Sequence, residues 1–176
     1  MLRPAKLITM TYTNKMMLAA LMLIGSYANG QSATATASAT IVTPITISRN
    51  QDLNFGNLDV QAFSGGNVVL TPEGARSTTS GVSLPSNAGR VTAADFTVMG
   101  SNACTYAIDL PSSVVLIHSS GTETMVASAF TSTPSRTGVL MGGSEHVKIG
   151  ATLSVAAAQR PGSYTSQGFE VTVNYN

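Results

Sequence analysis

Phe169-Glu170-Val171-Thr172-Val173-Asn174-Tyr175 sets an apolar side chain at every second position and a polar one between. Side chains alternate across a pleated strand, so this period gives one greasy face and one wet face. A helix of the same residues would scatter both kinds around its surface. The segment therefore reads as a half-buried β-strand.

The same two-residue rhythm recurs upstream. Ile149, Ala151, Leu153 and Val155 alternate with Gly and hydroxyl residues. Ala94, Phe96 and Val98 share one face, and Tyr106, Ile108 and Leu110 share another before Pro111 stops them. Val68–Leu70, Val82 with Leu84, Val114–Ile117 and 122–130 are further short apolar runs, and Leu53-Asn54-Phe55-Gly56 reads as a short strand ending at glycine. The intervals hold turn formers such as Pro85-Ser86-Asn87-Ala88-Gly89, where Pro pre-sets φ and Asn and Gly tolerate tight bends. Gly65-Gly66 and Gly142-Gly143 read as hairpin turns. No capped helical period appears beyond the first thirty residues; Val155–Ala158 allows one helical turn at most. Eight to ten short strands at this spacing predict an all-β, antiparallel sandwich with Greek-key links. A parallel sheet would need crossover helices that the sequence does not supply.

The first thirty residues read as a signal peptide. Arg3, Lys6 and Lys15 make a basic lead, Met16–Ile24 is a short apolar run, and Ala28-Asn29-Gly30 offers small residues before a cut that leaves Gln31 first. The run is well short of the ~20 residues needed for a membrane span, so export without stable membrane insertion is expected, to the periplasm, cell surface or exterior. Met10 and Met16 are alternative starts. Residues 31–176 then form a single domain of 146 residues, a size that buries about two-thirds of its unfolded surface. Six basic residues face eight acidic ones there, a net charge of −2. No basic patch is available to neutralise phosphates, which argues against nucleic acid. Cys104 is the one cysteine, and burial as a small apolar residue is its expected state.

Catalytic, metal and cofactor chemistry find no pattern. Nucleophilic catalysis needs a nucleophile, a base and an orienting group, and His118 and His146 are the only imidazoles. No Gly-x-Ser-x-Gly elbow accompanies the many serines. Glu145 and His146 are neighbours on a strand, so they point to opposite faces and cannot grip one ion. The expectation is no enzyme, no metal and no cofactor. Trp is absent and residues 31–176 hold three Tyr, few flat platforms for a sugar.

The two ends carry the functional expectation. Ala33, Ala35, Ala37, Ala39 and Ile41 lie on one face of a sheet-competent stretch, with Ser and Thr on the other. In one reading this is an ordinary strand of its own sandwich. In the other, 31–43 leaves its domain and completes a neighbour, main-chain bonds giving affinity and alternate side chains giving register.

Ala39-Thr-Ile-Val-Thr-Pro-Ile-Thr-Ile47, Leu53-Asn-Phe-Gly56, Ala94-Asp-Phe-Thr-Val-Met-Gly100, Ile149-Gly-Ala-Thr-Leu153 and Pro161-Gly-Ser-Tyr164 through Val171-Thr-Val-Asn-Tyr175 resemble a group of uncharacterised secreted bacterial β-domains, a domain of unknown function. The Phe-Gly pair, and Pro-Gly-x-Tyr followed by a strand ending in Tyr, are also similar to spore coat U-type domains, which occur as subunits of archaic chaperone–usher pili. That resemblance implies an immunoglobulin-like sandwich and a fimbrial or adhesive surface role. It also implies partners: other pilus subunits or copies of the chain, and a periplasmic chaperone pairing with the last strand, where Phe169, Val171, Val173 and Tyr175 match. The chain departs from those pilins in having one cysteine instead of a pair and an Ala-rich leading segment. The competing expectation is a monomeric secreted module that binds a surface polymer or glycan.

Overall fold

The structure, a computed structural model, describes residues 30–176; the expected signal peptide lies outside them but for its last residue. Residues 41–176 form one compact unit, and the description that follows chiefly concerns them.

Thirteen antiparallel strands form three sheets: a wide and a narrow one that face each other as layers, and a two-stranded ribbon. They are β1 (Thr46–Gln51), β2 (Asp59–Val60), β3 (Gly66–Leu70), β4 (Arg76–Thr78), β5 (Val82–Ser83), β6 (Ala94–Met99), β7 (Thr105–Asp109), β8 (Ser113–His118), β9 (Thr124–Thr133), β10 (Thr137–Val139), β11 (Ser144–Val155), β12 (Tyr164–Thr165) and β13 (Thr172–Tyr175). The wide sheet runs β1-β6-β11-β9-β8-β12, with β3 and β4 attached through β11; the narrow sheet is β10-β7-β13, and the ribbon is β2-β5. The chain crosses from wide to narrow layer after β6, returns for β8, crosses again for β10, returns for β11 and crosses last for β13. This is the antiparallel β-sandwich that the alternating sequence predicts.

β11 is the spine. Its first half pairs with β6 (Ser144↔Met99 to Ile149↔Ala94), and on the same side its second half pairs with β3 (Ala151↔Leu70 to Val155↔Gly66). Gly150 stands where the partner changes. A Cβ there would sit 2.7 Å from the Thr71 carbonyl carbon and 2.8 Å from the Pro72 nitrogen. The odd-numbered residues Val147 to Val155 all face inward and are buried. The core has two lobes. Val98, Tyr106, Ile108, Leu140, Val147, Ile149 and Val173 pack between the sheets. Phe55, Val68, Leu70, Val82, Ala127 and Leu153 pack beyond them, with Leu53 and Phe130 touching both lobes.

A bulge in β9 keeps that second lobe closed. The register against β11 slips between Gly150 and Thr152, and Ala129 takes a positive φ of 48°. One extra residue reverses which positions face inward, so Met125 and Ala127 before the bulge and Phe130 after it share the inner face.

Several sequence expectations are corrected. The alternating stretch 33–45 lies in no strand, and β1 begins only at Thr46. Leu53–Gly56 is a single bridge, Asn54↔Thr92. Gly142-Gly143 belong to a one-turn 3-10 helix (Met141–Gly143) that carries the chain between layers, so they close no hairpin. Gly65-Gly66 lead into β3 where backbones meet closely: a Cβ on Gly65 would approach the Ala157 nitrogen to 2.8 Å. Val155–Ala158 forms no helical turn.

A groove beside an open strand edge

The narrow sheet is too short to cover the wide one. Pro111 lacks an N–H and ends β7 soon after Asp109, so the stretch leading into β13 has no ladder partner. From Gln167 to Glu170 no backbone–backbone hydrogen bond forms among the described residues. The gap left under the wide sheet is a groove of about 1340 Å³. Inward side chains of β8, β9 and β11 line it: Val114, Leu116, Met125, Ala127, Leu153 and Val155. The segment Leu53–Val60 forms one wall, and a strap from Ala158 to Phe169 forms another. Arg49, Asp52, Arg90 and Arg160 bring charge to its rim.

Each wall is fixed locally. Gly56 needs its positive φ of 73°, and the Arg76 guanidinium donates to the Phe55 carbonyl at 2.6 Å and to the Asn57 carbonyl at 3.0 Å. The strap is clamped by His118 at the end of β8. The Ser120 N–H donates to His118 Nδ1 at 3.0 Å, so the ring hydrogen sits on Nε2 and donates to the Pro161 carbonyl at 3.1 Å. The ring is buried and meets Tyr164 edge-on at 4.9 Å. A side chain at Gly162 would collide with it. Beside the ring, Arg160 reaches Glu123 at 3.4 Å; the Thr122 hydroxyl, before Arg160, holds the Glu123 carboxyl below its ordinary range. His118→Ala would orphan the Pro161 carbonyl and the Ser120 N–H and leave a void. A loss of about 2 kcal/mol is expected, with faster amide exchange confined first to 159–165. Unchanged exchange there would contradict the clamp.

The residues expected at the chain ends fall as follows. Val171 and Val173 are buried in the first lobe of the core. Phe169 is half-buried against Phe130 (centroids 5.2 Å) and Phe96 (6.4 Å), closing the end of the groove. The Tyr175 hydroxyl donates to the Thr43 carbonyl at 2.7 Å and accepts from the Ser101 N–H at 2.7 Å. Tyr175 thus pins the root of the leading segment, and Gly100 leaves room for its ring. Among the described residues β13 pairs only with β7, so its other edge carries no strand. Ala33, Ala35, Ala37, Ala39 and Ile41 are all exposed, Ile41 at 98%.

Glu145 and His146 do point apart. Glu145 accepts from the Tyr106 hydroxyl at 2.8 Å, while His146 Nδ1 lies 3.1 Å from Asp95 on the outer face. Among the described residues no three of His, Cys, Asp and Glu gather as a metal would require. Cys104 is only half-buried. Sequence reasoning missed the His118 clamp and the Arg76 strut. Pro161-Gly162 after a strand histidine was the one visible signal for the first, and nothing local marked the second.

The fold and groove define a class: antiparallel β-sandwiches whose second layer leaves part of the first uncovered. Within it, the chain belongs to the family described as a domain of unknown function (DUF4402), whose match spans residues 45–175. No curated protein matches the chain.

Proposed function

We propose that the chain is a non-enzymatic structural or adhesive subunit of a bacterial cell-surface appendage, assembled by β-strand addition. The observation that carries this reading is a pairing of two incomplete parts. One is an apolar-floored groove that ends at Phe169, three residues before β13, whose outer edge has no partner among the described residues. The other is an exposed leading segment, 31–43, whose residues 33–41 alternate apolar and hydroxyl side chains and which joins no ladder. An unpaired strand edge over apolar surface is what an added strand satisfies. The groove exceeds the roughly 300–1,000 Å³ of small-molecule pockets, which suits an extended chain better than a metabolite. The thirteen residues of 31–43 can reach about 40 Å when extended, enough to span a neighbour's sheet. The Phe-Gly pair and the Pro-Gly-x-Tyr stretch before the last strand, which resemble those of spore coat U-type domains, favour the same role, and with it an exported location and a chaperone that protects the free edge before assembly.

Protein purified from expression of the full chain should form SDS-resistant polymers, or take up an added peptide of residues 31–43. Ala37→Asp puts a charge on the inserted face, where burial without a partner costs several kcal/mol. It should abolish assembly and leave the melting temperature of the sandwich unchanged. A monomer indifferent both to the peptide and to deletion of 31–41 would end the proposal.

The charged rim of Arg49, Asp52, Arg90 and Arg160 supports a second reading, a secreted module holding a surface polymer or glycan. Glycan-array binding by a monomer that never polymerises would select it.

A further inference from the structure

β8 is the last long strand of the wide sheet, followed only by the two-residue β12, and among the described residues most of its outer side is open. β12 covers it only at Ile117 and His118, leaving Ser113 to Leu116 unpaired on the outer side. Proteins guard such edges with charge, proline or bulges, because unpaired N–H and C=O groups recruit other strands. The opposite edge is guarded. β1 carries Arg49, paired with Asp52 at 2.9 Å, and its register slips between Arg49 and Gln51. β8 has none of these devices. Ser113-Val114-Val115-Leu116 holds no charge and no proline, and its ladder with β9 runs unbroken from Ser113↔Ser128 to Ile117↔Thr124.

Both faces of the edge are apolar. Inward, Val114 and Leu116 line the groove. Outward, Val115 is 50% exposed and stands directly opposite Val126, 39% exposed, with Ile117 beside them at 38%. The unpaired main chain specifies an extended strand as the occupant, and the side chains select which one. In antiparallel pairing, opposed residues share a face, so a two-fold axis through Val115 sets Val115 against its own copy and Val114 against Leu116, a ladder of three pairs that stops where Thr165 takes the outer side of Ile117. Apolar residues meet apolar residues on both faces in that register, and no like charges confront each other. We infer that the β8 edge is a lateral contact with a second copy of this chain, the two wide sheets joining into one across the two-fold. It uses neither β13 nor the leading segment, and shares with the groove only the inward side chains of Val114 and Leu116.

The test uses the full chain with Ala37→Asp, which silences assembly through the leading segment, and Cys104→Ser, which removes the native thiol. Sedimentation should show a concentration-dependent dimer. Val115→Lys, which opposes two like charges across the axis, should weaken that dimer roughly tenfold or more while the melting temperature holds. Val115→Cys should give a disulfide-linked dimer under mild oxidation, because directly opposed positions lie within the ~4.4–6.8 Å Cα separation a disulfide spans. Met99→Cys, exposed on the outer face of β6, should not. A parent that stays monomeric, a Val115→Lys chain that sediments like its parent, or equal cross-linking of the two cysteine variants would each overturn the contact. Val115→Lys in the otherwise unaltered chain should still polymerise through the groove, so failure of one interface is read separately from failure of the other.

Discussion

Gly150→Val should yield no soluble folded protein, and Gly150→Ala should melt about 10 °C lower than the parent. Gly150 lies in the middle of β11 at the point where its neighbour changes from β6 to β3. The atoms that a Cβ would strike, around Leu70, Thr71 and Pro72, are all main chain, so no side-chain rotamer can make room. Overpacking of this kind costs about 3 kcal/mol for one methyl group when backbone must move, and more for a β-branched side chain. For a domain of this size each kcal/mol lowers the melting temperature by roughly 3–4 °C. The groove would suffer with the fold, because Leu153 and Val155, which line it, follow directly along the same strand. An alanine variant that melts with the parent would show that β3 and β6 can part without cost.

Tyr106→Ala should destabilise the sandwich by about 3–5 kcal/mol, and Tyr106→Phe by about 1–2. Tyr106 is fully buried, its ring lies against Gly138, and its hydroxyl donates to Glu145 at 2.8 Å. Alanine would leave a ring-sized cavity between the layers and deprive the carboxylate of a donor; phenylalanine would remove the donor alone. Glu145 keeps the Val139 N–H at 3.0 Å, which limits the second loss. The alkaline limb separates the two effects. Burial first, and the Glu145 carboxylate second, push the Tyr106 phenol well above its ordinary value of 10.0. The unfolded chain releases this proton near pH 10 while the folded chain keeps it. Stability from this group is therefore complete below about pH 10 and declines by roughly 1.4 kcal/mol per pH unit above it, until the folded phenol ionises. Tyr106→Phe should flatten that decline. Denaturant unfolding from pH 9 to 11.5 measures it, and parallel curves for the two proteins would refute the coupling.

Both predictions concern residues whose place was legible in the sequence only in part. Tyr106 was assigned to an inward face by its alternation with Ile108 and Leu110, but nothing local announced Glu145 as its partner. Gly150 read as one small residue in a clean alternation; its necessity comes from two strands that meet beside it, far away in sequence. The leading segment shows the converse failure. Residues 33–41 alternate as well as any strand in the chain, yet they join no sheet, because alternation fixes which faces a strand would present and not whether an edge is free to receive it.

What the sequence determined by itself is the two-residue period, the turn positions, and hence an antiparallel sandwich with defined inner faces, since these follow from the geometry of single strands. It also set the opposed directions of Glu145 and His146. Tertiary structure alone decided which edges stay open, where β11 changes partner, how the Ala129 bulge turns Phe130 inward, and that His118 ties a strap across the groove. Each of these depends on the meeting of segments distant in sequence, and a groove is the space that such segments fail to fill.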